Sequence, residues 1–383
     1  MRKNISILAS VIAVAALLAG PAQAQTNARV QAGDIKQAVV RAVGDRTGYY
    51  QADVDPQRES GNWVFGVAVQ KAKLGTEPRG WLFLGRLDGR EWTVALDTTS
   101  GFAELAQAAP EAVFSAAEKE LFMVRIQAGN NTELRLPFAI GATWTMTGGP
   151  HGWAGYDTPY SAVDLAGGDG IVRSAGSGNV YTMCADSSNG GTPGGWRRVY
   201  HPNGYTTDYY HLWHLTSLGN GASIGGGQAL GNIGKNLCAG GAASGPHVHW
   251  AILSGTTRVA WHWRSAGKWV FWQGAAYGGY ALHGSTIVYP GGGLYNYGVL
   301  AGNQGIVDAN GGGTVNRRSG PGTGYPIVGT LTDGQTVTIS CWRNGTTHSG
   351  RWGATAVWNR LPDGTWFSDA FAYTGVNTIG PNC

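Results

Sequence analysis

The residues in this sequence best suited to chemistry are the two histidines of Gly245-Pro246-His247-Val248-His249-Trp250. Val248, Trp250 and Ile252 favour a β-strand there. Side chains alternate along a strand, so His247 and His249 are expected on one face. Neutral imidazole is the commonest protein ligand for zinc. A lone pair of strand histidines is more often an ordinary hydrogen-bonded pair. Here, though, the others gather near it: of nine histidines, none precedes His151 and eight fall between His151 and His283.

A hydrolytic zinc site needs three protein ligands, one open position and a group that moves protons. The helical His-Glu-x-x-His solution is closed to the later part of this chain, because no glutamate follows Glu133. Proton transfer there falls to His, Asp or Tyr. His151 follows Gly148-Gly149-Pro150 in a loop. Asp164 interrupts the apolar Ser161-Ala162-Val163-Asp164-Leu165. A buried carboxylate is costly unless paired or metal-bound, and an Asx turn at a strand end is the plainer alternative. His211 and His214, in Tyr210-His211-Leu212-Trp213-His214, have the odd spacing that places them on opposite faces of a strand, so one of them is expected at the site.

These elements in this order resemble the lysostaphin-type zinc endopeptidases, β-lytic and staphylolysin branch, over roughly residues 136–290. The resemblance implies one zinc ion held by His151, Asp164 and His249. It implies that His211 and His247 assist catalysis, and that a disulfide joins Cys184 to Cys238. It also implies a tyrosine that stabilises the transition state; Tyr289 has similar surroundings, with Tyr277 and Tyr280 as alternatives. The substrate implied is the peptide cross-bridge of bacterial peptidoglycan, with glycine-containing bonds preferred. Two other readings stand beside it: a wall-binding regulator without activity, and a secreted protease acting on glycine-rich proteins.

The elements that must position these residues are β-rich. Residues 136–290 are glycine-rich and aromatic, with short strand-like runs and no long amphipathic helix, which predicts an antiparallel β-sheet core. All eight glutamates precede residue 136, and 51 of the 63 glycines follow residue 135. That shift marks a domain boundary. Residues 25–135 read as a small α+β unit, either a propeptide that masks the enzyme or a permanent accessory domain. Asp34 caps a helix beginning at Ile35. Strands are expected over 63–70, 81–87 and 92–96, with Asp88-Gly89 as the turn between the last two. Helix is expected over 102–122, broken at Ala109-Pro110.

Pro290-Gly291-Gly292-Gly293 opens a linker, 291–303. Residues 304–383 predict a small β-barrel, with strands over 327–331, 336–341, 355–361 and 365–373. The run from Val315 to Tyr325, followed by Val328-Gly329-Thr330-Leu331, resembles the bacterial SH3-like module and implies attachment to cell walls. The fold class is therefore mainly β, with an α+β N-terminal unit.

Residues 1–24 read as a secretory signal: Arg2 and Lys3, an apolar run to Leu18, then Ala22-Gln23-Ala24. The run is too short to span a bilayer, so an exported, monomeric protein without a membrane span is expected. The even count of cysteines suits an oxidising compartment, with Cys341–Cys383 as the second pair. Removing Arg2 and Lys3 with the signal takes the formal charge from +4 to +2, too small to argue for nucleic acid.

Overall fold

Strand Val248–Ser254 shows why this sequence builds a two-sided sheet. Val248, Trp250 and Ile252 enter one fully buried core with Trp144, Val163, Leu165 and Tyr209. His249 and Ala251 take the other face. Each large side chain so buried stabilises the fold by about 1.5–3 kcal/mol. The computed structural model describes residues 28–31, 34–73, 78–123, 129–189 and 192–383. The signal segment read at 1–24 lies outside them.

The strand belongs to a nine-stranded sheet in which every pairing is antiparallel. Along its path run Ala222–Ile224, Gly178–Asn189, Thr192–Tyr200, Tyr205–Leu212, Val248–Ser254, Ala162–Ala166, Thr143–His151 and Gly293–Tyr295. Thr257–Arg258 pairs beside Val248–Ser254.

The described residues between 28 and 123 form a five-stranded antiparallel sheet with helices. Helix Ile35–Thr47 is capped by Asp34, whose side chain accepts from the Lys36 amide at 3.0 Å, and it buries Ala38, Val39 and Val43 against one face. The opposite face packs with helices Ser100–Ala108 and Ala116–Met123. The hairpin after strand Arg79–Asp88 turns at Gly89-Arg90, one residue beyond the predicted turn. There Gly89 takes φ +66°, which favours glycine.

That second face also covers the larger sheet. Phe65, Val67, Leu82, Leu84, Phe102 and Phe114 share one apolar core with Tyr181, Met183, Trp196, Tyr200, Tyr210 and Ala251. The covered face is the one that bears His249.

Two boundaries differ from the sequence expectation. Gly293–Tyr295, read as linker, is an edge strand on Thr143–His151, because Leu294 fills the core beside Trp144. Asn131–Leu134 pairs in parallel with Ser265–Ala266 and sends Leu134 into the same core, so these residues pack with the later part of the chain.

Residues 304–383 form a five-stranded and a three-stranded antiparallel sheet around Val307, Val315, Leu331, Val337, Leu361 and Phe367. The strand expected over 336–341 ends at Thr338, and Cys341 opens the hairpin Cys341–Gly350/Gly353–Arg360. Its arm over 343–347 is exposed and polar, so it carried no alternation to read. The strand expected over 365–373 is interrupted by a 3₁₀ turn at Asp369–Phe371. Cys341 bonds Cys383, and Cys184 bonds Cys238. Among the described residues no helix is long and apolar enough to cross a membrane.

Candidate active site

Four neighbouring strands bring the histidines together. The register sets His249 opposite Asp164 on one side and opposite Tyr210 on the other. Gly148 faces Asp164 from the third strand, and an irregularity between Gly148 and His151 re-aims the histidine. Glycine is required here by close approach. A Cβ on Gly148 would lie 2.9 Å from Oδ2 of Asp164, and one on Gly149 would lie 2.0 Å from the Gly278 carbonyl oxygen.

Three side-chain atoms converge. Nδ1 of His249 is 3.0 Å from Oδ1 of Asp164, and Nε2 of His151 is 3.2 Å from Nδ1 of His249. Nε2 of His151 is also 3.5 Å from Oδ1 of Asp164. The edge of a tetrahedron with bonds of about 2.0 Å is about 3.3 Å, so these spacings fit three ligands of one divalent ion. Two imidazoles and a carboxylate are also the donor chemistry such an ion takes. Burial alone would push Asp164 up, but His151, His249 and His247 pull it well below the usual carboxylate range. Burial lowers His151 to about 4, which keeps its imidazole neutral. His211, His247 and His249 form a second group of the same compactness.

The tautomers are set by the backbone. Nδ1 of His151 donates to the Gly149 carbonyl at 2.7 Å, and Nδ1 of His247 to Gly245 at 2.8 Å. Nδ1 of His211 donates to the Asn236 carbonyl at 2.9 Å. In a neutral ring each such bond leaves Nε2 as the basic atom. Nε2 of His247 lies 3.6 Å from Oδ1 of Asp164, and the His211 ring is 4.9 Å from that of His247. Burial lowers His247.

His211 sits at φ +66° near the end of its strand. Few non-glycine residues adopt this conformation, and surrounding contacts must hold it. Asn236 supplies one. Its side chain accepts from the Cys238 amide at 2.9 Å and donates to Asp186 at 2.6 Å. The Cys184–Cys238 disulfide thus anchors the loop whose carbonyl orients His211.

The tyrosines separate clearly. Tyr289 is 61% exposed, and its ring lies against Tyr280. Tyr277 instead stacks on His151 at 3.9 Å between centroids, with φ +65°. The 27 residues between His249 and Tyr277 make its place invisible to motif spacing. Trp153, which sequence reasoning missed, sets its ring 4.8 Å from that of His249; nothing in its glycine-rich surroundings signals this. His214 lies outside both donor groups. His201 is a buried structural residue bonded to the Ser177 carbonyl and Thr207. His283 stacks on Tyr297, His262 packs on Trp272, and His348 lies in the C-terminal sheets.

Residues 158–261, which carry Asp164, His211, His247 and His249, match the model of peptidase family M23. The β-lytic metalloendopeptidase of Lysobacter enzymogenes is 31% identical over 127 residues, which are 32% of this chain and 69% of that protein. This chain belongs to peptidase family M23. Protease LasA of Pseudomonas aeruginosa is 29% identical over 169 residues, 41% of this chain; the match spans only 35% of LasA's length. The solved M23 metalloprotease pseudoalterin from the deep sea aligns over 42% of this chain and 97% of its own at 27% identity, with a TM-score of 0.37. M23 proteins are metallopeptidases, and the His151/Asp164/His249 and His211/His247/His249 groups suit that chemistry.

Proposed function

We propose that the chain is an exported zinc endopeptidase that hydrolyses peptide cross-bridges of bacterial peptidoglycan, preferring bonds that involve glycine. The mutual spacing of 3.0, 3.2 and 3.5 Å among one carboxylate oxygen and two imidazole nitrogens carries this reading. His151, Asp164 and His249 are the ligands of a single zinc ion. When bound, the ion supplies Lewis acidity for the scissile carbonyl and a water nucleophile at neutral pH.

The remaining steps belong to the chain's own side chains. Nε2 of His211 or His247 takes the proton of the attacking water, and the other ring supports the developing oxyanion or protonates the departing amine. Tyr277, held against His151, is better placed than Tyr289 to donate to that oxyanion. The lysostaphin-like donor set has no member missing, which disfavours a wall-binding protein without activity.

The N-terminal part of the segment 25–135, up to Met123, is read as a propeptide that blocks the cleft, while Asn131–Leu134 stay with the later part of the chain. The Ala72 amide donates to the Ala239 carbonyl at 2.8 Å, and Trp153 donates its indole N–H to the Pro78 carbonyl. The Trp153 anchor stands beside the histidine cluster, its ring 4.8 Å from that of His249. Residues 304–383 are read as an SH3-like module that holds the enzyme, acting as a monomer, on the wall. Incubating the processed protein with glycine-bridged peptidoglycan, then sequencing the fragments by mass spectrometry, tests the reading. Cleavage at glycine bonds that stops on chelation supports it, and intact cross-bridges would overturn it.

A further inference from the structure

The sheet face beneath residues 28–123 holds charges almost wholly removed from water. Arg198 and Asp208 are register partners, with side chains 3% and 0% exposed. Nε of Arg198 donates to Oδ1 of Asp208 at 2.7 Å and Nη2 to Oδ2 at 3.0 Å. Arg258 donates to the same Oδ2 at 2.9 Å. Two guanidinium groups therefore share one carboxylate, and the cluster carries an unbalanced positive charge. A buried charge left so is strongly unfavourable.

The balance comes from across the interface. Asp97 follows strand Glu91–Leu96, and its side chain is 0% exposed. It accepts the Tyr200 hydroxyl and lies 3.7 Å from Arg198. Burial pushes the Asp97 carboxyl up, and Arg198 pulls it back. The exposed Asp157 adds negative charge beside Arg258 from the loop side.

A second carboxylate crosses the same interface and behaves differently. Glu118 accepts the Tyr181 hydroxyl at 2.7 Å, but its counter-charge is Arg58 of its own unit, at 2.8 and 2.7 Å. If residues 28–123 lift away, Glu118 leaves with its partner. Asp97 leaves its partner behind. The uncovered floor then offers a guanidinium and a phenol hydroxyl to an anion, beside Trp196, whose ring is 5.2 Å from Arg198. Nη1 of Arg258 is buried without a hydrogen-bond partner among the described residues. Its guanidinium lies 3.8 Å over the Trp153 ring, which in turn lies 4.8 Å from His249.

We propose that Arg198 and Tyr200 form a carboxylate-binding subsite of the cleft, for which Asp97 is a built-in stand-in. It selects peptide substrates that carry a free carboxyl group near the bond that is cut. The inference rests on the reading above that the N-terminal unit leaves the cleft.

The test begins with the folded full chain, processed by limited proteolysis. Two glycine-containing peptides are compared, one bearing a carboxylate and the other the matching carboxamide. The acid peptide should show a KM about tenfold lower, as expected for one charge-assisted hydrogen bond. Tyr200→Phe, which keeps the ring, should bring the two KM values to within about threefold. Equal KM values in the unaltered enzyme, or an undiminished preference in Tyr200→Phe, would overturn the subsite. If neither peptide is cut, the peptidase reading fails, and calorimetric binding of the same pair still decides the subsite. Acid-selective binding supports it, and equal or absent binding of both peptides overturns it.

Discussion

Trp153 joins two parts of the molecule at one ring: its indole N–H donates to the Pro78 carbonyl, while its face lies 4.8 Å from the His249 ring. A residue beside the candidate ligand set is thus tied to the N-terminal unit. Processing of the chain between residues 123 and 129 should raise hydrolysis of a soluble glycine peptide at least about tenfold, since a cleft blocked that fully is one of low population. Rates measured before and after limited proteolysis check this. Equal rates would make the N-terminal unit an accessory domain.

His211 makes no contribution to the three closest donor atoms, but its Nδ1 is locked to Asn236. His211→Ala should keep its metal and lose about 10²–10⁴ in kcat, the usual worth of a general acid or base. Metal analysis and kinetics on one sample separate the two effects. Loss of the metal along with the activity would move His211 among the ligands.

Asp369 gives a pH prediction away from the site. Burial raises its carboxyl to about 6, with Asn359 alone among the described residues donating to it. The folded state therefore holds this proton more tightly than the unfolded chain, whose aspartate titrates near 3.9. The stabilisation is full below about pH 4 and lost as pH rises through about 6, by up to about 3 kcal/mol. Asp369→Asn should raise the unfolding midpoint at pH 7.5 and leave it unchanged at pH 3.5. Equal shifts at both values would count against a proton held in the folded state.

The sequence is informative where chemistry and period coincide. His247 and His249, two apart, announce a strand with a functional face. Asp164 stands out because a charge inside an apolar run needs a partner, and it faces three imidazoles here. Helix Ile35–Thr47 declares its own start through Asp34. What stays hidden is set by long-range packing. Tyr277 reaches His151 through a glycine-flanked loop with no periodicity. The pairing of Asp97 with Tyr200 links residues 103 apart. The edge strand Gly293–Tyr295 has too few residues to show alternation.

The three-ligand site is tested most directly by metal content. Full-length protein and the variants His151→Ala, Asp164→Asn and His249→Ala should be purified without added metal and assayed by mass spectrometry of bound elements. One zinc per chain is expected in the unaltered protein, falling below about a tenth in each variant, with unchanged circular dichroism. Zinc retained at one per chain in any of the three would contradict the ligand assignment.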